Sequence, residues 1–243
     1  MRSLIKSLAT SIIAVAVLTA TVSADSLPNP REEGLGPTQR LETLLERVRI
    51  EQKQIETLEA EFVQFKESSM LVEPVEANGV FSYSAPDLAR WEYMQPNPIT
   101  LLIQGDEMTT WYKDLDQAEK VQVGRQSQKV LEYLGAGSSM DDLLEYFTVT
   151  LTLPNDTTQP YKLELDPRFA RVAKRLQGMA LWIDAERYLP VRLRYVEADG
   201  DVTDYTFRNF RVNRGLPDDR FELEIPSSVD VRLIELNQRA GLR

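Results

Sequence analysis

Short runs of β-branched and aromatic residues recur at near-regular intervals through most of this chain, each closed by turn formers. That period-two patterning limits the fold more than any other feature. Segments 62–70, 79–84, 88–94, 98–104, 109–114 and 120–124 are such runs, parted by Ala85-Pro86-Asp87, Gln95-Pro96-Asn97 and Gly105-Asp106. They predict an antiparallel meander. A second set occupies 147–153, 161–165, 173–183, 190–197, 202–212 and 221–225. Within it Asp199-Gly200 marks a hairpin, because Asp-Gly accepts the positive φ of a tight turn. Two helical stretches interrupt the strands. After Thr38, a fitting N-cap, Leu41, Leu44, Leu45, Val48, Ile55, Leu58 and Phe62 fall near one stripe. They predict an amphipathic helix of about five turns lying on a sheet face. Segments 126–134 and 139–147, joined by Gly135-Ala136-Gly137, read as two short helices. No linker divides 38–233, so the expected fold is mainly β with α. It is one domain, a strongly curved antiparallel sheet or open barrel with the long N-terminal helix and the short helices placed against it.

The ends read differently. Arg2 and Lys6 precede an apolar run from Leu8 to Ala20, and Val22-Ser23-Ala24 offers small residues for cleavage, so 1–24 is expected to be a signal peptide removed near Ala24. The apolar run is shorter than the roughly 20 residues that span a bilayer, and no Cys follows it for acylation. A soluble exported protein is the expectation. Losing Arg2 and Lys6 takes the formal charge from −10 to −12. Segment 25–37, rich in Pro, Gly and charge, reads as a flexible leader. The tail 234–243 carries no pattern.

The chain has no Cys and no His. Thiolate nucleophiles, Cys/His zinc sites, Ser-His-Asp triads and His general bases are therefore excluded. A pI near 4.8 opposes nucleic-acid binding, which needs Lys and Arg for phosphate. Acidic groups at Asp114, Asp116 and Glu119, at Glu197, Asp199, Asp201 and Asp204, and at Asp218-Asp219 sit in turns. They read as solvated loops. A carboxylate pair for glycoside hydrolysis is a spatial feature that sequence leaves open as a minor alternative. Neither a metal nor a cofactor is called for, and the expectation is a protein that binds rather than an enzyme.

The aromatics say more. Phe81, Tyr83, Trp91, Tyr93, Trp111 and Tyr112 crowd into 81–112, where alternation sends Phe81 with Tyr83, and Trp91 with Tyr93, to common faces. If covered tightly this face is a core, and if covered loosely it encloses an apolar cavity able to take an acyl chain. Expected cavity and lid residues are Phe81, Tyr83, Trp91, Tyr93, Leu101, Ile103, Trp111, Leu131, Leu134, Leu143, Leu144 and Phe147.

Four stretches in register resemble the LolA family of periplasmic lipoprotein carriers. LEAEFVQF (58–65) resembles its helix end and Phe-x-Gln strand. GVFSYSAPDLARWEYMQP (79–96) is similar to its Gly, aromatic strand, Pro and Trp, here Pro86 and Trp91. LLIQGDEMTTWYKDLDQAEKV (101–121) and YTFRNFRVNRGLPDDRFELEIPSSVDV (205–231) match its Trp-Tyr hairpin and its aromatic, Leu-Pro, Phe ending. The resemblance implies a single unclosed antiparallel β-barrel covered by the long N-terminal helix and a short helical lid, whose concave face binds the acyl chains of triacylated lipoproteins. It also implies an inner-membrane ABC-type transporter as donor, an outer-membrane acceptor where one exists, a periplasmic location and action as a monomer. Members of the family place an Arg just before the strand-ending Pro to tether the lid, where this chain has Ala85. Arg90 is the nearest substitute for lid control, although alternation turns it away from Trp91. A second reading on the same fold is a lipid- or lipoprotein-sensing regulatory or scaffold protein.

Overall fold

The computed structural model describes residues 27–122 and 144–234. One helix, α1 (Pro37–Gln52), precedes twelve strands: β1 (Thr57–Glu67), β2 (Val75–Ser84), β3 (Leu88–Gln95), β4 (Ile99–Gln104), β5 (Glu107–Tyr112) and β6 (Gln117–Gln122), then β7 (Phe147–Thr152), β8 (Tyr161–Pro167), β9 (Leu176–Ile183), β10 (Pro190–Glu197), β11 (Val202–Val212) and β12 (Asp230–Ile234). A single-turn helix, α2 (Ala170–Ala173), lies between β8 and β9. All twelve strands form one sheet in the order β12-β6-β5-β4-β3-β2-β1-β11-β10-β9-β8-β7. Pairing is antiparallel except where β12 joins β6 in parallel. The two outermost strands do not pair with each other, so the barrel is unclosed. Strands β6 and β7, consecutive along the described chain, stand toward opposite ends of that order. The expected fold class is observed.

Helix α1 is shorter than its apolar stripe suggests, and Leu58 and Phe62 belong to β1. A spacing of four fits both a helical and an alternating pattern, and Leu58, Ala60 and Phe62 are buried at every second position. A distant side chain fixes the switch. The Asn213 Oδ1 accepts hydrogen bonds from the Glu56 and Thr57 amides at 2.8 and 3.1 Å, and its Nδ2 donates to the Gln54 carbonyl at 2.7 Å. At the other end Gly36, not Thr38, is the N-cap, its amide donating to Gln39 Oε1 at 2.9 Å.

Leu44, Leu45 and Val48 of α1 pack on Phe147, Tyr161, Leu163, Leu165, Leu181 and Ile183, the first of two buried clusters. The second gathers Leu58, Phe62, Phe81, Tyr83, Ala89, Trp91, Ile103 and Leu189. Two further expectations are corrected. Residues 30–36 do not stand free. Pro30 is fully buried, Arg31 Nη1 donates to the Pro154 carbonyl at 3.0 Å, and the Arg31 guanidinium sits 5.0 Å from the Tyr161 ring centroid. The segment 221–225 is not a strand, since a 3-10 turn over Asp218–Phe221 precedes it and the final strand is Asp230–Ile234. Its alternation is real but shows in burial alone: Phe221, Leu223 and Ile225 are half-buried while Glu222 and Glu224 are exposed, and Leu223 and Ile225 line a small cavity with Leu102 and Thr109 without joining a ladder. The hairpin at Asp199-Gly200 is present, with Gly200 at φ +95°. Among the described residues no helix is long and apolar enough to cross a membrane. The signal peptide, the expected helix over 126–134, most of that over 139–147 and all but the first residue of the tail lie outside the described residues.

Candidate functional site

Every second side chain of a strand shares a face, and cross-strand pairs carry that face along the sheet. One row runs Leu58, Tyr83, Ala89, Ile103, Met108. The next runs Ala60, Phe81, Trp91, Leu101, Thr110, and a third Phe62, Gly79, Tyr93, Ile99, Tyr112. Phe81, Tyr83, Trp91, Tyr93, Leu101 and Ile103 are thus brought together on the concave face. The Phe81 and Trp91 ring centroids are 3.9 Å apart. Across β1 the face continues through Phe207 and Tyr205 on β11.

The curvature of the sheet shows in one bond. The hydroxyls of Tyr93 on β3 and Tyr205 on β11 lie 3.0 Å apart, although β2 and β1 separate those strands. Phe62 fills the space beneath, its ring centroid 4.9 Å from Tyr93 and 6.1 Å from Tyr205. Gly79 makes this packing fit. A Cβ there would strike the Glu92 carbonyl oxygen and come within 2.7 Å of Phe62 Cζ. Burial raises the pKa of both phenols, so they remain neutral donors and acceptors.

Among the described residues the two halves of the face have different neighbours. Helix α1 lies on the β7–β9 half, whereas no described helix contributes to the aromatic cluster. A cavity of about 480 Å³ opens at the C-terminal end of α1. Its floor of Ile55, Leu189, Phe210 and Val212 belongs to the aromatic cluster or packs against it, and Arg47, Glu51, Arg187 and Arg214 stand around it. An apolar floor with a charged rim suits an amphiphile.

Other expected site residues lie elsewhere. Trp111 pairs with Thr100 and Ala118, on the convex face, because its strand presents Met108 and Thr110 inward. Lys113 Nζ approaches its ring at 5.5 Å. Leu144 and Phe147 join the cluster under α1 rather than the aromatic one. Leu131, Leu134 and Leu143 are outside the described residues.

Arg90 also points to the convex face, paired with Ser82 and Leu102, and it holds the C-terminal segment. Its Nη1 donates to the Arg220 and Glu222 carbonyls, both at 3.0 Å, and its Nη2 to Glu92 Oε1 at 3.1 Å. Burial alone would raise the Glu92 pKa, but Arg90 and Lys113 together outweigh it and hold the carboxyl below its usual range. Arg90 is therefore a clamp on residues 220–222, and no described contact links it to a lid.

Sequence reasoning missed Phe62, Tyr205 and Phe207 as parts of the site. The alternation Tyr205-x-Phe207 was the available signal, and Phe62 was hidden in the helical stripe.

A family model described as outer membrane lipoprotein carrier protein LolA matches residues 53–224. An outer-membrane lipoprotein carrier protein of Pseudomonas putida (strain W619) is 24% identical over 229 residues, covering 93% of this chain and 97% of its own. One from Alkalilimnicola ehrlichii is 27% identical over 184 residues, covering 73% and 78%. In fold, the chain is similar to an uncharacterized conserved protein from Thermus thermophilus, with TM-score 0.52 at 15% identity over 81% of this chain and 100% of that one.

Proposed function

Because this chain belongs to the LolA family, we propose that it is a periplasmic carrier that hides the acyl chains of triacylated lipoproteins on its concave face between the inner and the outer membrane. The observation that carries the reading is the set of aromatic and aliphatic side chains, Phe62, Phe81, Tyr83, Trp91, Tyr93 and Leu101, that β1 to β4 bring together on one concave face. The physical need is large. At about 0.8 kcal/mol per CH₂, leaving one long chain in water costs on the order of 10 kcal/mol. A carrier must meet that cost and still let go. Aromatic and aliphatic walls give burial without directional bonds, and anything that competes for the same face lowers apparent affinity.

In this reading the chain starts at Asp25 after export and acts as a monomer. It takes cargo from an ABC-type transporter of the inner membrane and gives it to an outer-membrane acceptor. Its work is binding and release, with no bond made or broken.

Native mass spectrometry of the mature protein isolated from periplasm, with its lipoproteins co-expressed, tests this. A stoichiometric triacylated lipoprotein is expected, together with extraction of lipoprotein from inner-membrane vesicles. Protein that is empty in the first experiment and inert in the second would overturn the carrier reading in favour of a scaffold or sensor.

A further inference from the structure

Three of the phenols on the largely apolar concave face, Tyr93, Tyr205 and Tyr195, come from β3, β11 and β10. Tyr93 and Tyr205 share the 3.0 Å bond described above, and on the neighbouring strand β10 Tyr195 shares their face, two residues along from Leu193, which pairs with Tyr205. Two phenols carry two donor hydrogens, and a single bond between them uses one. Whichever oxygen donates, the other keeps its hydrogen. Among the described residues neither Tyr93 nor Tyr205 has a second hydrogen-bond partner, and Tyr195 has none. A donor on a largely apolar surface gains most from an acceptor that arrives with an apolar ligand and displaces water from it.

There is room beside it. Tyr205 lies directly across the ladder from Gln64, which in turn faces Ala77 on β2. Gln64 and Ala77 line a cavity of about 290 Å³, with Met70, Leu71 and Val75 as apolar walls. Tyr205 therefore sits where that cavity meets the aromatic face.

We infer that Tyr205, with Tyr93 and Tyr195, forms a hydrogen-bonding subsite for the carbonyl oxygen at which an acyl chain joins its headgroup. The chain itself lies on the aromatic face and the headgroup extends toward the 290 Å³ cavity. This deepens the carrier reading and rests on it. A purely apolar face sets no depth for a chain, since each CH₂ is like the next. A donor at a fixed position sets the depth, and so favours ligands whose carbonyl sits at the head of the chain. Both ester and amide linkages carry such an oxygen.

The test uses three probes against the mature protein: a triacylated lipopeptide, its analogue with ether in place of the two ester linkages, and its analogue lacking the amide-linked chain. Affinities are compared for the unaltered protein, Tyr205→Phe and Tyr93→Phe. Thermal unfolding checks that each variant keeps its fold. The expected result is that the unaltered protein binds the parent about tenfold tighter than one analogue, the ether form if the ester is read and the amide-lacking form if the amide is. Tyr205→Phe should abolish that preference by weakening the parent to about the affinity of the weaker analogue. Equal affinity for parent and ether analogue, with only a chain-length loss for the third probe that Tyr205→Phe does not alter, would overturn the subsite and leave the carrier intact. A preference that survives in both variants would do the same. If the unaltered protein binds none of the probes, the carrier reading fails and the subsite falls with it.

Discussion

Gly79 is the residue at which the aromatic site is most sensitive to a single atom. It lets the Phe62 ring lie across the neighbouring strand, and that ring supports the Tyr93–Tyr205 contact from below. Gly79→Ala would place a Cβ against the backbone of Glu92, which cannot rotate away as a flexible side chain could. Overpacking of this kind costs about 1–3 kcal/mol. Urea denaturation should show a loss in that range, together with a changed tyrosine absorbance environment at the Tyr93–Tyr205 pair. A neutral result would mean that the β2–β3 register is looser than the pairing implies. At this scale the sequence was partly legible. Alternation correctly grouped Phe81 with Tyr83 and Trp91 with Tyr93. It failed at Trp111, because a face assignment carried across turns accumulates register error, and one residue of slip reverses it.

Among the elements, the segment after β11 departs most from its pattern. Residues 218–225 lie at the convex face as a 3-10 turn followed by an extended strap, whose Leu223 and Ile225 line one small cavity with Leu102 and Thr109. Arg90 holds its backbone at two carbonyls, and Arg220 reaches back to Glu59 Oε2 at 2.8 Å. Alternation in a sequence reports which side chains are buried, not whether the backbone joins a ladder, so this strap read as a strand. The end of α1 was illegible for a related reason: the bonds that stop it come from Asn213, more than a hundred residues away. Arg90→Ala removes a charged donor from two strap carbonyls, a change worth roughly 1.5–3 kcal/mol. The expected outcome is that loss in chemical denaturation and faster amide exchange in 218–225, with lipid affinity and release unchanged. Altered release at constant stability would instead return Arg90 to lid control.

Across the whole molecule, one continuous concave face carries two kinds of surface. Under α1, Leu163 is 1% exposed among aliphatic neighbours from β7, β8 and β9. On the other half, Leu101 and Met108 are only partly buried at the border of the aromatic cluster. In the carrier reading the sheet takes its stability where α1 covers it and its affinity on the aromatic half, over which no described helix lies. The two properties should therefore separate by position. Leu163→Ala empties space in a sealed core and should cost about 2–5 kcal/mol, with little change in the affinity of a fluorescent acyl probe. Leu101→Ala should cost less stability, because the side chain already meets open space, and should weaken probe binding several-fold through lost apolar contact. Denaturant midpoints and probe titrations on both variants measure the two axes independently. Equal losses of stability and affinity in both variants would show that the face behaves as one undivided core, and the uneven cover would then have no bearing on cargo.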